Sequence, residues 1–383
     1  MKYFKVIILG CGASGAMCAV QAKESDLAVI DMGSKPVKKL MVTGNGRCNL
    51  TNLDTNGATH YNKDITNYLQ RVSVEDTLKL FAGLGLEYYA DEETRVYPIS
   101  DTAKSVIDVL TNKLQKKKVS LFLEHKVLDI SKTSDGFEVK TEQETFACKK
   151  LVIATGGNTL SLLENLGIAS FQTMPSLCAL KANVSRNLNG QKVSRVHVTA
   201  LDKHGNQFSQ KGEVLFREGG LSGIVMFNAS SFFARNKSFE GEVVIDLLPE
   251  LSHEQLFEKL MQRTLLDVPV NKFFEGMLAN AVAYEVLNRC KLEEEKSSKL
   301  LTKKELLMFV NTMKYFNFSV SGYFENNQVF SGGISLENLD ENLQSKTIKN
   351  LYFCGEVCDI DGLCGGYNLQ WAWTSGAIVG RNL

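Results

Sequence analysis

The sequence predicts an α/β protein whose Rossmann-type nucleotide-binding domain is assembled from both ends of the chain and is interrupted by inserted domains. A β-branched apolar run at 5–9 leads directly into Gly10, Gly12 and Gly15, and an alanine-rich helical pattern follows. A strand, a tight turn and a helix in this order begin a parallel sheet. Near the other end, a further buried run at 351–354 precedes two glycines and a closing helical pattern.

The length of 383 residues is too great for one hydrophobic core of ordinary size. Alternating strand patterns dominate the middle of the chain, and two capping boxes (Ser252 with Gln255, Thr302 with Glu305) introduce helices after it. We therefore expect three domains: a nucleotide-binding domain at 1–177 and 315–383, a β-rich substrate domain at 178–251, and a small helical domain at 252–314.

Composition and charge exclude several classes of protein. Lysine plus arginine and aspartate plus glutamate each number 43, so no net charge favours nucleic acid or anionic lipid as a partner. The apolar run before Gly10 is too short for a signal or membrane segment, and we expect a cytoplasmic protein. The nine cysteines include no CxxC pair. Cys354, Cys358 and Cys364 lie among glycines without a histidine, so we predict no metal.

The strongest local signal is the dinucleotide fingerprint formed by Gly10, Gly12, Gly15 and Asp31. Gly10 permits the tight turn, Gly12 allows the backbone to approach a pyrophosphate, and Gly15 allows close helix packing. The helix N-terminus offers N–H groups to phosphates, and Asp31 would accept hydrogen bonds from a ribose. The alternative is a glycine-rich turn with no ligand, and the fingerprint by itself does not separate FAD from NAD.

Three further glycine-bearing segments favour FAD, because an NAD site is normally completed within the N-terminal unit. Gly44–Asn49 contains Arg47, which could reach a phosphate or a flavin edge. Thr155, Gly156 and Gly157 end a buried strand, and so do Cys354, Gly355 and Glu356. Gly365 and Gly366 open the last helix, whose N-terminus would stabilise negative charge on a reduced flavin.

Several longer strings resemble a known family: GNGRCNLTN at 44–52, RVYP at 95–98, GEVLF and GGLSG at 212–223, and GEVCDIDGLCGGYNLQWAW at 355–373. They resemble a bacterial flavoprotein family labelled the aminoacetone oxidase family of FAD-binding enzymes, which is related to a bile-acid 4,6-reductase. The resemblance covers nearly the whole chain. It implies a discontinuous, glutathione-reductase-like FAD domain with an inserted β domain and a small helical domain.

The resemblance also implies which residues approach the cofactor, including Ser14 at the pyrophosphate and Val127 at the adenine. Together with the segments above, the predicted FAD site consists of Gly10, Gly12, Ala13, Ser14, Gly15, Asp31, Met32, Lys39, Leu40, Gly44, Gly46, Arg47, Cys48, Val127, Thr155, Gly156, Gly355, Glu356, Gly365, Gly366, Asn368 and Leu369. The chain departs from the family after Gly157, where the segment Asn158–Phe171 is short.

The sequence therefore predicts an FAD-dependent oxidoreductase that exchanges a hydride between flavin and a small organic substrate. No second glycine fingerprint follows a strand, so NAD(P)H would visit only transiently. The alternatives are a non-catalytic FAD-binding or redox-sensing protein and a tRNA-modifying flavoprotein. Arg47, Arg217, His197 and Tyr367 are candidates to face the flavin, but no catalytic residue is assigned, and Trp371 and Trp373 are predicted to belong to the core.

Overall fold

The computed structural model describes residues 1–157, 162–163, 166–168, 170–325 and 327–383. The chain forms two compact units, one from Met1–Met174 with Gln328–Leu383 and one from Pro175–Asn327. The strands are β1 (Lys2–Leu9), β2 (Leu27–Ile30), β3 (Thr51–Asn52), β4 (Tyr88–Ala90), β5 (Arg95–Pro98), β6 (Ser120–Phe122), β7 (Val127–Lys132), β8 (Phe137–Thr141), β9 (Thr145–Ile153), β10 (Ser170–Ser176), β11 (Leu180–Ala182), β12 (Lys192–Asp202), β13 (Gln207–Arg217), β14 (Gly220–Ser222), β15 (Gly241–Asp246), β16 (Phe316–Tyr323), β17 (Val329–Ile334) and β18 (Leu351–Phe353).

The α-helices are α1 (Ala13–Gln21), α2 (Thr66–Arg71), α3 (Val74–Gly83), α4 (Ala103–Lys116), α5 (Ile224–Arg235), α6 (His253–Arg263), α7 (Asn280–Cys290), α8 (Lys303–Lys314) and α9 (Tyr367–Arg381). Short 3-10 segments include Lys38–Gly46, before β3, and Gly355–Val357, directly after β18. No helix in the described ranges has both the length and the apolar character needed to span a membrane.

The first unit is built on a sheet with the strand order β6-β2-β1-β9-β8-β7, and β18 also pairs with β9. The parallel register places Leu9 beside Ile30 and Ile153, and Phe353 beside Ile153. All four of these apolar residues are buried, as expected for strands covered on both faces. The carboxyl ends of β1, β2, β9 and β18 therefore meet at one edge of the sheet, and the predicted α/β Rossmann-type architecture is confirmed.

Helices α1 and α9 pack so closely that two positions of α9 admit only glycine. A Cβ at Gly376 would lie 2.4 Å from the Ser14 carbonyl oxygen, and one at Gly380 would lie 2.4 Å from the Cys18 carbonyl oxygen. Backbone approach of this kind is a recognised reason for glycine within a helix. The two ends of the chain are thus joined in one core, as the prediction of a discontinuous domain requires.

The second unit contains a closed barrel with the order β11-β14-β13-β12-β15-β16. Alternate residues point inward: Val196, Val198 and Ala200 of β12 are buried, and their neighbours are more exposed. The sequence placed the strand at 316–323 in the nucleotide-binding domain, and the structure instead places it in this barrel. Helix α5 was also missed, because its region was interpreted as strands. The separation of residues 252–314 into a domain of their own stays a prediction.

Both predicted capping boxes are present. Ser252 caps α6 together with Gln255, and Thr302 caps α8 together with Glu305. The Glu305 carboxylate also accepts a hydrogen bond from the Lys296 ammonium at 2.7 Å. This contact, with the backbone N–H of Thr302, lowers the pKa of Glu305 to about 2.

We expect the second unit to lose stability in acid because of Glu305. Its folded-state pKa lies below the ordinary glutamate value of 4.5, so its contribution is complete above that pH and is lost as the pH falls towards about 2. The contribution is at most about 3 kcal/mol. Thermal unfolding followed by circular dichroism should show a smaller drop in this pH window for Glu305→Gln than for the wild type. The control Glu258→Gln, at an exposed position of α6, should retain the full drop.

Candidate functional site

The glycine-rich turn after β1 has three glycines with three different roles. Gly10 has a φ of 97°, and a Cβ there would lie 2.4 Å from the Ala154 carbonyl oxygen. A Cβ at Gly15 would lie 2.0 Å from the Gly10 carbonyl oxygen, so α1 packs directly on the turn. A Cβ at Gly12 would have no described atom within 4 Å. Glycine is thus required by the tight turn at position 10 and by close helix packing at position 15. The backbone at Gly12 faces open space.

The first turn of α1 leaves backbone donors available. Gly12 is its N-cap, and no side chain of the described residues caps the helix. The Ser14 hydroxyl donates to the Cys354 carbonyl oxygen at 3.3 Å, which ties α1 to the end of β18. An uncapped helix N-terminus beside an open glycine is a suitable place for a phosphate.

Asp31, at the end of β2, holds the loops around this turn in place. One carboxylate oxygen accepts from the Cys11 N–H at 2.5 Å, and the other accepts from the Gly33 N–H at 2.6 Å. A carboxylate oxygen has two lone pairs, so each can accept a further hydrogen bond from a ligand hydroxyl. The next residue, Met32, has 74% of its surface exposed.

A glutamate after β18 and a lysine of the 38–46 segment both lie next to Gly156, which follows β9. A Cβ at Gly156 would lie 3.3 Å from a Glu356 carboxylate oxygen and 3.8 Å from the Lys39 ammonium nitrogen. The other Glu356 oxygen accepts from the Phe330 N–H at 2.6 Å. Burial raises the pKa of Glu356, and the Lys39 charge opposes that shift. A hydrogen-bonded carboxylate and a lysine ammonium therefore both lie next to Gly156.

Several residues in the segment from Lys38 to Cys48 have positive φ angles. Gly44, Asn45 and Gly46 have φ values of 55°, 55° and 83°. The Arg47 guanidinium lies 4.3 Å from the centre of the Tyr97 ring, which fixes its direction through a cation–π contact. Within the predicted site, Leu40 and Cys48 are 2% and 0% exposed, so their backbone and not their side chains can reach a ligand.

The loop before α9 is organised by two asparagines. The Asn368 side chain accepts from the Gly362 N–H at 2.8 Å and donates to the Gly362 carbonyl oxygen at 2.9 Å. With its amide oriented to satisfy both neighbours, Asn49 accepts from the Gly366 N–H at 3.1 Å. Asn368, which the sequence assigned to cofactor contact, therefore holds the glycine loop through its side-chain amide.

The structure adds His60 and Tyr61, which the sequence analysis did not include. The rings of His60 and Tyr367 have centres 4.3 Å apart, and the Tyr61 hydroxyl donates to the Tyr367 carbonyl oxygen at 2.9 Å. The Asn56 N–H donates to His60 Nδ1 at 3.1 Å, which places the imidazole proton on Nε2. No local motif marks His60 and Tyr61, because their partner lies some 300 residues away.

Four further residues of the predicted FAD site are half-buried in the first unit: Ala13, Val127, Thr155 and Leu369. Of the candidates in the second unit, His197 Nε2 is bonded to the Ser209 hydroxyl at 3.0 Å, and the Arg217 guanidinium lies 4.0 Å from the centre of the Phe324 ring. Half of the shortened segment 158–171 lies outside the described residues. Trp371 and Trp373 are 2% and 0% exposed, which confirms that they belong to the core.

Burial raises the pKa of several thiols near the site, including Cys11, Cys48 and Cys358. These cysteines are free, and a raised pKa keeps them as unreactive thiols. Among the residues that the structure describes, no group of three or more histidine, cysteine, aspartate or glutamate side chains is arranged to hold a metal ion.

Comparison with known proteins gives relatives of nearly the same length. The chain is 28% identical over 403 aligned positions to a 3-dehydro-bile acid delta(4,6)-reductase of Clostridium scindens, with 98% of each chain covered. It is 27% identical to a ribosomal RNA dihydrouridine synthase of Escherichia coli K12, with 100% of this chain and 98% of the relative covered.

A solved structure shares the fold: the 3-ketosteroid delta1-dehydrogenase of Sterolibacterium denitrificans superposes with a TM-score of 0.51 and 13% identity, covering 100% of this chain and 99% of that chain. A family model described as the HI0933-like protein Rossmann domain matches residues 4–382. This protein therefore belongs to the HI0933-like family.

Proposed function

We propose that this protein is an FAD-dependent reductase of a carbon–carbon double bond conjugated to a carbonyl group. The observation that carries the FAD-binding part of the proposal is the open backbone at Gly12, at the uncapped start of α1 and next to Asp31. This arrangement has room for a pyrophosphate, donors for it, and a carboxylate for the adjoining ribose. The cofactor is FAD and the activity is oxidoreduction.

The residues of the first unit fit FAD along the carboxyl edge of the sheet. The backbone of Gly12 to Gly15 would hold the pyrophosphate, and Asp31 would hold the ribose. Glu356 and Lys39, beside Gly156, would bind the polar part of the cofactor, and the N-terminus of α9 would stabilise negative charge on the flavin. When bound and reduced, FAD supplies a hydride. The chain's own groups bind and orient the cofactor and hold the proton that completes the reduction.

The relatives indicate the type of bond that is reduced. A delta(4,6)-reductase of a 3-dehydro-bile acid and a dihydrouridine synthase are both named for adding hydrogen across a ring double bond conjugated to a carbonyl. Such a reduction adds a hydride to the carbon β to the carbonyl and a proton to the α carbon. We infer the same reaction here, with a small cyclic enone as the substrate and NADH or NADPH as the transient electron donor.

Tyr367 is our candidate for the group that delivers this proton. Burial raises the pKa of its hydroxyl, so the hydroxyl keeps its proton at neutral pH. We expect Tyr367→Phe to bind FAD normally and to lower the rate of substrate reduction roughly 100-fold, the usual size of a general-acid contribution. Stopped-flow measurement of flavin reoxidation by the enone checks this, and an unchanged rate would exclude Tyr367.

A second candidate substrate is a uridine of ribosomal RNA. The Escherichia coli relative, matched over the whole of this chain, is named for that reaction. The uracil ring contains the same conjugated bond, so the same site chemistry serves both substrates. The balanced net charge of the chain supports the small-molecule substrate in preference to RNA.

An anaerobic visible spectrum of the purified protein tests the proposal. We expect a flavin band that NADH or NADPH bleaches and that a 3-oxo-4-ene steroid restores, with a product that has gained two hydrogens by mass spectrometry. Reoxidation by unmodified ribosomal RNA, with dihydrouridine in the digest, would support the second candidate. A protein without extractable FAD, or one whose reduced flavin reacts with neither substrate, would contradict the proposed function.

We expect Asp31→Ala to weaken FAD retention roughly tenfold while leaving the absorption spectrum of the remaining bound flavin unchanged, because the residue contacts ribose and not the ring. Equilibrium dialysis against FAD measures the affinity. The control is Asp26→Ala, since Asp26 lies before β2 and accepts from the Lys5 N–H. Equal retention in the wild type and Asp31→Ala would show that this carboxylate does not hold the ribose.

A further inference from the structure

The outer face of the barrel carries a cavity of about 460 Å³ that the proposed reaction does not use. Its lining residues are Lys181, Ala182, Asn183, Glu218, Gly219, Ser319, Ser321 and Phe324. They come from β11 and the residue that follows it, from the turn between β13 and β14, and from β16 and the residue that follows it. All of them belong to the second unit.

The strand pairing explains why a cavity exists at this place. Lys181 lies opposite Gly220 on β14 and opposite Gly322 on β16. Cross-strand neighbours point to the same face of a sheet, so no side chain lies directly opposite Lys181 on either strand, and the Phe324 ring occupies the space beside Gly220. Ser319 and Ser321 project to the same outer face, where both are exposed.

Two cations converge on one aromatic ring at this cavity. The Arg217 guanidinium lies 4.0 Å from the centre of the Phe324 ring, and the Lys181 ammonium lies 5.9 Å from it. Within the described part of the chain, neither cation has a carboxylate partner in an ion pair. Arg217 is not itself a lining residue and reaches the cavity through its contact with the Phe324 ring. Glu218 does line the cavity, so Lys181, Arg217 and Glu218 together carry one positive charge.

We propose that this cavity binds a phosphate ester group, with Lys181 and Arg217 as its cationic partners. A phosphate has several acceptor oxygens and needs donors from more than one direction, which an ammonium, a guanidinium and the two serine hydroxyls provide. The volume exceeds that of a phosphate alone, so a sugar or base attached to it also has room. The same chemistry occurs in an RNA backbone and in a free nucleotide.

The test measures binding of two probes to the purified full chain at low salt: a fluorescent ribo-oligouridylate by anisotropy, and ADP by calorimetry. We expect at least one probe to bind and its affinity to fall roughly tenfold in Lys181→Gln and in Arg217→Gln. The matched control is Lys203→Gln, which removes an exposed lysine of the same barrel from the β12–β13 hairpin, outside the cavity. It should bind as the wild type does.

The pattern of binding identifies the source of the phosphate. Binding of the oligonucleotide, with a salt dependence that becomes shallower by about 0.7 for each cation removed, supports an RNA backbone. Binding of ADP alone supports a free nucleotide. The variant Arg217→Lys keeps the charge and should recover part of the affinity, which separates loss of charge from loss of the contact with Phe324. The proposal is overturned if neither probe binds, or if Lys203→Gln weakens binding as much as the cavity variants do.

This inference does not depend on the proposed reaction. Flavin content and enone reduction are measured on the same protein samples, so an effect of Arg217, a sequence-based candidate to face the flavin, is separated from loss of probe binding. A protein that contains FAD and reduces an enone but binds neither probe refutes the cavity and leaves the reductase in place. A protein that binds a probe but contains no FAD supports the phosphate site in the cavity and refutes the proposed reductase.

Discussion

Gly12→Val is expected to produce a folded protein that is purified without its yellow cofactor. A valine Cβ at this position meets no described atom within 4 Å, and φ at Gly12 is −76°, so the substitution strains neither the packing nor the backbone. The branched side chain fills the space where the pyrophosphate must lie against the helix N-terminus. We expect FAD affinity to fall more than 100-fold, a loss of roughly 3 kcal/mol or more.

Absorbance at the flavin band and equilibrium dialysis measure this loss, and circular dichroism checks the fold. The matched control is Gly83→Val, because Gly83 is exposed at the end of α3 and a Cβ there also has no described atom within 4 Å. It should retain FAD fully. Gly15→Val should instead unfold the first unit, since its Cβ would lie 2.0 Å from the Gly10 carbonyl oxygen. Yellow Gly12→Val protein would show that the pyrophosphate lies elsewhere.

Trp373→Ala is expected to cause the largest loss of stability in the first unit. The indole is fully buried, its N–H donates to the Leu50 carbonyl oxygen at 2.9 Å, and its ring meets the Phe81 ring edge-on at 5.0 Å. Truncation leaves a large cavity and an unpaired carbonyl, which together cost about 3–5 kcal/mol. Trp373→Phe keeps much of the volume and should cost about 1–3 kcal/mol.

Denaturant unfolding followed by tryptophan fluorescence measures these losses. Both tryptophans of the chain, Trp371 and Trp373, lie in the first unit, so the signal of the variants comes from Trp371 in that unit. Tyr3→Ala is the control, because Tyr3 is 61% exposed, and it should cost less than about 1 kcal/mol. A Trp373→Ala protein as stable as this control would mean that α9 does not anchor the core.

The sequence predicted those parts of the fold that depend on short-range patterns. The β1–turn–α1 unit and both capping boxes are confirmed, because turn residues, caps and apolar period act within a few residues. Helix α5 was missed for a physical reason. It is buried around most of its circumference and begins at Gly223 without a side-chain cap, so it shows neither an amphipathic stripe nor a start signal.

Contacts between distant segments explain what the sequence did not predict. The closure of the barrel by β16 on β11 joins strands more than 130 residues apart, and no local pattern encodes it. The placement of Lys39 and Glu356 beside Gly156 likewise depends on where β9 and β18 end and on the path of the 38–46 segment. The glycine fingerprint predicted which backbone would be open, whereas it carried no information about which charged side chains would meet there.

The joining of α1 to α9 also determines the order in which the protein can assemble during synthesis. The second unit is one continuous stretch, so it can fold as soon as residues 175–327 have left the ribosome. The first unit cannot, because β18 and α9 complete a sheet and a helix pair that were begun by the first strand and helix made. Its early strands must wait, with their apolar faces uncovered, until the segment from 351 to 381 emerges.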